Sequence, residues 1–238
     1  MATLLSIANA VCDEIQELRP GSVVGNNSET ARRILRYANK SGERLMKAYP
    51  WQRLRSFASF TAANQPEQTG VLPANFDRFI PETFWDQTNR DLIAGPMAAV
   101  EYQSRASLDS SNFITRKYYY AGNSVFVLPA PSGGETYSFG YVSNQWCQSN
   151  SGTGQEEFLA DTDVPLIDSE LMIAAIALEW LIAEGQPTAP AMAAQYEQRY
   201  HTLTRNDRPT TPILMAGDLF GGGRRFQGAP MVEPGEAS

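Results

Sequence analysis

His201 is the only histidine in this chain of 238 residues, so chemistry that needs imidazole rests on a single ring. It lies beside Tyr200 in a helical pattern, where a surface or partner-contact role fits it better than catalysis. The acids offer a second opening. Asp161-Thr162-Asp163, with Glu156, Glu157 and Asp168 nearby, presents oxygen ligands for a divalent cation or a carboxylate pair for glycoside hydrolysis. Their spacing completes no calcium-loop pattern, and acids just before a helix start are also what the helix dipole favours. Gly152-Thr153-Gly154 and Gly221-Gly222-Gly223-Arg224-Arg225 suggest phosphate contact, yet neither follows a strand and opens a helix with a complete fingerprint. For the second, flexibility with a basic partner contact is the simpler reading. Cys12 and Cys147 lack the paired spacing of a zinc site; Cys12 reads as a small core residue, and no disulfide between them is expected in a reducing compartment. The inventory nominates no catalytic, cofactor-binding or metal-binding residue. A non-enzyme is expected.

Charge and aromatic content point to contact surfaces. The net charge of −7 argues against general nucleic-acid binding, but residues 28–55 carry eight bases and only two acids, a local +6. Within them Arg32, Arg36, Lys40, Arg44 and Lys47 recur at intervals of three or four, which aligns them along one face of a helix. That face is either solvated and partly neutralised by Glu29 and Glu43, or an electrostatic seam against an acidic neighbour. Tyr118, Tyr119, Tyr120, Tyr137, Phe139, Tyr141 and Trp146 enrich a β segment. Core packing is their main reading; outward members would serve a protein interface or stack on sugars.

The elements that must position these groups follow from periodicity. Leu4, Leu5, Ala8, Val11, Cys12 and Ile15 predict a helix over 3–17, ended by Arg19-Pro20-Gly21. A second helix starts near Asn27 or Ser28, buries Ile34, Leu35, Ala38, Leu45, Met46 and Tyr49, and stops at Pro50. From Trp51 the period shifts towards two. Short strands continue through Tyr141, including a hairpin over Phe113–Val127 that turns at Ala121-Gly122-Asn123. Residues 143–164 read as a long polar loop. Asp168 or Ser169 then caps a helix that is apolar nearly all round from Leu171 to Leu178, the pattern of a core centre. After Gly185 and Pro187 a last helix spans about 189–206, and the Gly- and Pro-containing stretch from Arg208 to Ser238 lacks core periodicity. The expected fold class is α+β: a four-helix core from 1–52 and 160–207, a β-rich insert over 53–159, and an extended arm over 208–238. No apolar run reaches the roughly 20 residues of a membrane span, and no signal peptide is expected.

The block at 76–105, FDRFIPETFWDQTNRDLIAGPMAAVEYQSR, reads as strand, polar turn, strand and helix, with Pro96 suited to a first helical position. Together with TLLSIANAVCDEI, MKAYPWQRLR, YVSNQW and FLADTDVPLIDSELMIAAIALEWLIAEG, taken in order, it resembles the head-to-tail adaptor (connector) proteins of short-tailed bacteriophages. The likeness spans the chain up to about Asn206 and is looser after Arg208. It implies a structural virion protein at the head–tail junction, made in the host cytoplasm. Such a protein forms a homo-oligomeric ring, twelve copies in the family, between the portal protein and the tail nozzle or other tail proteins, with a channel for DNA ejection. No cofactor and no membrane partner are implied, and DNA would pass without sequence-specific binding. Candidate interface residues are Arg32, Arg36, Lys40, Arg44, Lys47, Phe84, Trp85, Arg90, Phe220, Arg224, Arg225 and Phe226. The alternatives are a carbohydrate-binding tail component, carried by exposed tyrosines, and a glycan-cleaving virion enzyme, carried by Glu157 with Asp161 or Asp163.

Overall fold

Thr3 opens the first helix, its hydroxyl accepting from the Ser6 N–H, and the apolar spacing carries α1 over Leu4–Ile15. We describe residues 2–108 and 115–208 of the chain from a computed structural model. Ser28 caps α2, Glu29–Ala48, by accepting from Ala31 N. A 3-10 turn over Gln52–Leu54 leads into β1, Arg55–Thr61, in which Ala58 and Phe60 point inwards while Phe57, Ser59 and Thr61 are exposed. The chain continues through β2 (Glu67–Thr69), β3 (Phe76–Phe79), β4 (Trp85–Asp86), β5 (Asp91–Leu92) and α3 (Ala99–Ala106). The hairpin β6 (Lys117–Ala121) and β7 (Ser124–Leu128) follows, then β8 (Thr136–Ser143). Three two-residue strands, β9 (Cys147–Gln148), β10 (Gly154–Gln155) and β11 (Val164–Pro165), precede α4 (Ser169–Ala183) and α5 (Ala189–Asp207).

The fold is mixed α and β, with three antiparallel sheets among the described residues. β8 is the centre of the largest. It pairs with β1 from Arg55↔Val142 to Thr61↔Thr136, while β3 and then β4 take its other edge and β5 extends β4. β7 lies between β2 and β6 in the second sheet. Inward residues of both sheets, including Phe60, Phe79, Tyr118, Val125, Val127, Tyr137 and Phe139, form one apolar cluster with Phe84 and Ile93. α3 lies on the other side of the second sheet, where Tyr102 stacks on Tyr119 at 4.8 Å.

α4 is buried from Leu171 to Leu178, as its lack of a polar face requires, and packs against α1, α2 and α5. The cluster around it differs from a core made by helices alone, because Val142, Trp146, Cys147 and Phe158 from the β-rich stretch belong to it. α5 contributes partly buried Met192, Tyr196, Tyr200 and Leu203 but no fully buried apolar side chain.

Two local expectations change. Residues 143–164 are not a plain loop: β9 holds β10 and β11 on its two edges, a pairing too short to leave a periodic signal. Pro96 does not begin a helix. Residues 93–97 run extended along β6, with Met97 N donating to Tyr118 O at 2.8 Å, so α3 starts only at Ala99. The hairpin turns at Gly122, where φ is +57° and glycine carries no Cβ penalty. Its expected start at Phe113 lies outside the described residues, as do residues 209–238 of the arm. No described helix is long and apolar enough to cross a membrane.

Candidate functional site

Two exposed surfaces stand out, and neither has the build of a catalytic centre. The first is the outer face of α2. Arg32, Arg36, Lys40, Arg44 and Lys47 are all exposed, on the side opposite the buried Ala31, Ile34, Ala38 and Leu45. Their counter-charges come from two sources. Lys47 pairs with Glu43 one turn away, as the spacing implies, while Lys40 and Arg44 converge on Glu179 of α4 at 2.8 and 2.5 Å. Neighbouring Arg33 pairs with Glu184 at 2.5 Å and lies 4.4 Å over the Trp180 ring. The hydrogen bond to Glu184 holds the Arg33 guanidinium above its ordinary range. Arg32 and Arg36 make no ion pair among the described residues. Glu179 and Glu184 are partners that α2 alone does not reveal, because the register between two helices distant in sequence leaves no local trace.

The second surface is the outer face of the largest sheet. Phe57 is 78% exposed, and its ring lies over Gly140, where an added Cβ would stand 3.3 Å from Phe57 Cε1. Trp85 and Leu92 pair across β4 and β5 on the same outer face and are 42% and 39% exposed. These three large apolar side chains share the outer face of one sheet, which makes that face a candidate contact surface.

The turn beyond Trp85 is fixed by a buried charge network absent from the sequence reading. Asp86 is fully buried and accepts from the backbone N–H groups of Thr88 and Asn89. Arg116 bridges Asp86 at 2.8 Å and Glu135 at 2.9 Å and donates to the Tyr137 hydroxyl, which donates to Glu135. Burial, then the hydrogen bond to Glu135, pushes the Tyr137 phenol up. Arg90, at the end of this turn, is exposed with φ +61°. Phe84 is corrected from interface to interior: it is 1% exposed and packs 4.8 Å from Tyr118. Phe220, Arg224, Arg225 and Phe226 lie outside the described residues.

Most of the acids nominated for chemistry are engaged elsewhere. Asp161 accepts from Val23 N and Val24 N, Asp163 from Leu159 N and Ala160 N, Asp168 caps α4 through Leu171 N, and Glu156 accepts from Asn144. Asp161, Asp163 and Asp168 hold backbone N–H groups, Glu156 takes a side-chain amide and Glu157 is exposed; no set of three metal-ligating side chains gathers among the described residues. Gly152-Thr153-Gly154 forms the tight turn entering β10, with Ser149 N donating to Thr153 O. His201 is exposed beside Tyr200. Cys12 and Cys147 are both buried free thiols, and burial pushes Cys147 up to about 12. Of the aromatic segment, Tyr118, Tyr137, Phe139, Tyr141 and Trp146 are buried. Tyr119 lies under Tyr102, and Tyr120 packs edge-on against Phe79. Compared with models of known protein families and with curated proteins, the chain gives no match.

Proposed function

We propose that this chain is a structural virion protein: the subunit of a ring adaptor between the portal and the tail of a short-tailed bacteriophage, enclosing a channel for DNA. The ordered sequence resemblance suggests the reading. One observation supports it best: a single subunit exposes a basic helix face on α2 and a separate apolar patch at Phe57, Trp85 and Leu92. A subunit in a ring between two unlike assemblies needs surfaces that differ in chemistry, because it meets its neighbours and its axial partners through different faces. In this reading the four helices α1, α2, α4 and α5 build the ring, and the β-rich stretch with its Trp85 patch faces the tail. The arm from Arg208 onward reaches a neighbour or the portal. The net negative charge suits a lumen that does not hold phosphates tightly.

The test mixes purified chain with its portal protein and images the product by electron microscopy. A ring seated on the portal is expected, and its absence sinks the role. Removing residues 208–238 tests the arm separately; unchanged assembly would show that it is not needed.

A further inference from the structure

β1 is an edge strand of the largest sheet, and along its whole length it pairs with β8 alone among the described residues. Which of its backbone groups face the open edge follows from β8. Gly140 N donates to Thr83 Oγ1 at 3.0 Å and Gly140 O accepts from Ile80 N at 2.9 Å, while Thr136 N donates to Thr88 Oγ1 and Thr136 O accepts from Gln87 N. Both residues thus direct their N–H and C=O groups to the side of β8 away from β1. Their partners, Phe57 opposite Gly140 and Thr61 opposite Thr136, turn their own groups outwards, and by alternation so does Ser59. The backbone groups of these three residues have no hydrogen-bond partner among the described residues.

Sheet edges are ordinarily blunted by a charge, a proline or a bulge. From Ser56 to Thr61 β1 has none of these, and its register with β8 is unbroken. Ala58 and Phe60 pack on the apolar cluster from the inner face yet stay only partly buried, with no described strand beyond them.

This edge is complementary to itself. A two-fold axis at Ser59 sets Phe57 opposite Thr61 of a second copy, Ser59 opposite Ser59, and Thr61 opposite Phe57; with two N–H···O bonds in each of these three antiparallel pairs, six form in all. In the same register Phe60 faces Ala58 of the second copy across a close, non-hydrogen-bonded pair, so the two apolar clusters meet. Neighbouring registers make fewer bonds. An axis at Phe57 calls on Arg55 N, which already donates to Gln52 O, and an axis at Thr61 calls on Ala63, whose N–H and C=O are both held by the Gln68 amide. With the axis at Ser59, Arg55 falls opposite Ala63, so no like charges are opposed.

We propose that β1 is a docking edge for a second copy of this chain, which adds its own β1 antiparallel about a two-fold axis at Ser59 and joins two sheets into one. The inference does not rest on the adaptor reading: an isologous pair differs from the head-to-tail contacts of a ring, so the paired state belongs to the chain free of its portal. Its contacts are backbone groups and uncharged side chains, which salt does not screen.

The test uses the full-length chain. Sedimentation velocity of the wild type is expected to show a dimer that persists at high salt. Ser59→Pro removes an outward N–H and leaves the β8 ladder intact, so it should weaken the dimer at least about tenfold with an unchanged circular dichroism spectrum. Single cysteines read the register, because Cys12 and Cys147 are buried and leave the introduced thiol as the reactive one. Under mild oxidation Ser59→Cys should give a disulfide-linked dimer. Phe57→Cys or Thr61→Cys alone should not, since like positions stand about 13 Å apart along the strands, beyond the reach of a disulfide; mixed, the two should link to each other. Misfolding cannot produce a pattern so specific to position. A wild-type chain that stays monomeric, a dimer indifferent to Ser59→Pro, or Thr61→Cys linking to itself as readily as Ser59→Cys would overturn the pairing. A monomeric wild type whose capture of the tail protein is lost in Ser59→Pro would overturn it as well, and assign the edge to a strand of that protein. Ring formation on the portal is scored separately, so loss of the dimer leaves the adaptor role standing.

Discussion

Gly42 is predicted to be intolerant of even one added carbon. It lies mid-way along α2, where alanine would ordinarily stabilise the helix by about 0.5–1 kcal/mol. Here a Cβ would stand 2.4 Å from Cη2 and Cζ3 of Trp146 and 2.5 Å from Cζ2, whereas carbons in contact sit about 3.5–4.0 Å apart. The indole must retreat by roughly 1 Å to restore that separation. It has little room, being 1% exposed and packed edge-on against Phe158 at 4.9 Å. Overpacking of this kind costs about 1–3 kcal/mol or more, and the severity of the overlap puts Gly42→Ala at the upper end, so a net loss of about 2 kcal/mol is expected after the helix gain. Urea unfolding followed by circular dichroism should show a lower midpoint with an unchanged slope. Trp146→Leu removes the obstructing ring, costs stability through the void it leaves, and should make Gly42→Ala at least about 1 kcal/mol cheaper in that background. A Gly42→Ala chain as stable as wild type, or one penalised equally in both backgrounds, would refute the idea that the glycine exists to admit the indole.

Three further outcomes are expected. Arg116→Met strands the buried Asp86 and Glu135 carboxylates and should cost about 3–5 kcal/mol in urea unfolding; adding Asp86→Asn and Glu135→Gln should recover part of it, and no recovery would contradict the network. Burial pushes Cys147 up from 9.0 and Tyr118 up from 10.0, each to about 12, so the folded chain holds both protons more tightly than the unfolded one. Their contribution to stability is therefore whole below pH 9 and falls away between 9 and 12; unfolding midpoints that stay flat over that range, or a thiol reagent titrating the native chain at pH 8, would count against it. Phe57→Ser with Trp85→Ser should change stability by no more than about 0.5 kcal/mol per site yet weaken capture of the tail, and undiminished tail binding in a pull-down would remove the patch from the interface.

What could be read in advance was whatever is local. The helix over Leu4–Ile15 follows from its apolar stripe, the start of α2 from Ser28, and the central place of α4 from a run with no polar face. What escaped notice depends on residues far apart in the chain. Glu179 sits 139 positions from Lys40, and Arg116 is 30 from Asp86, so neither pairing leaves a periodic mark. Nothing local singles out Gly42, because the side chain it admits, Trp146, comes from far along the chain. Phe84 and Trp85 looked equivalent as neighbours, but strand alternation sends one into the apolar cluster and the other outward. The acids at 156–168 suggested ligands because composition cannot tell a carboxylate that binds metal from one that collects backbone N–H groups.

The seating of α1 has a consequence for synthesis. Leu4 N and Leu5 N donate to the carbonyls of Asp163 and Asp161, and the helix packs on α4, so α1 completes its contacts only with elements made much later. At ordinary translation rates roughly ten seconds or more separate the emergence of the two. During that interval Leu4, Ile7, Ala8 and Val11 lack the α4 surface that will cover them. A nascent chain stalled before Ser169 is thus an apolar helix without its partner, the state a holdase chaperone would bind. Completion of the helical packing therefore waits for α4 to leave the ribosome.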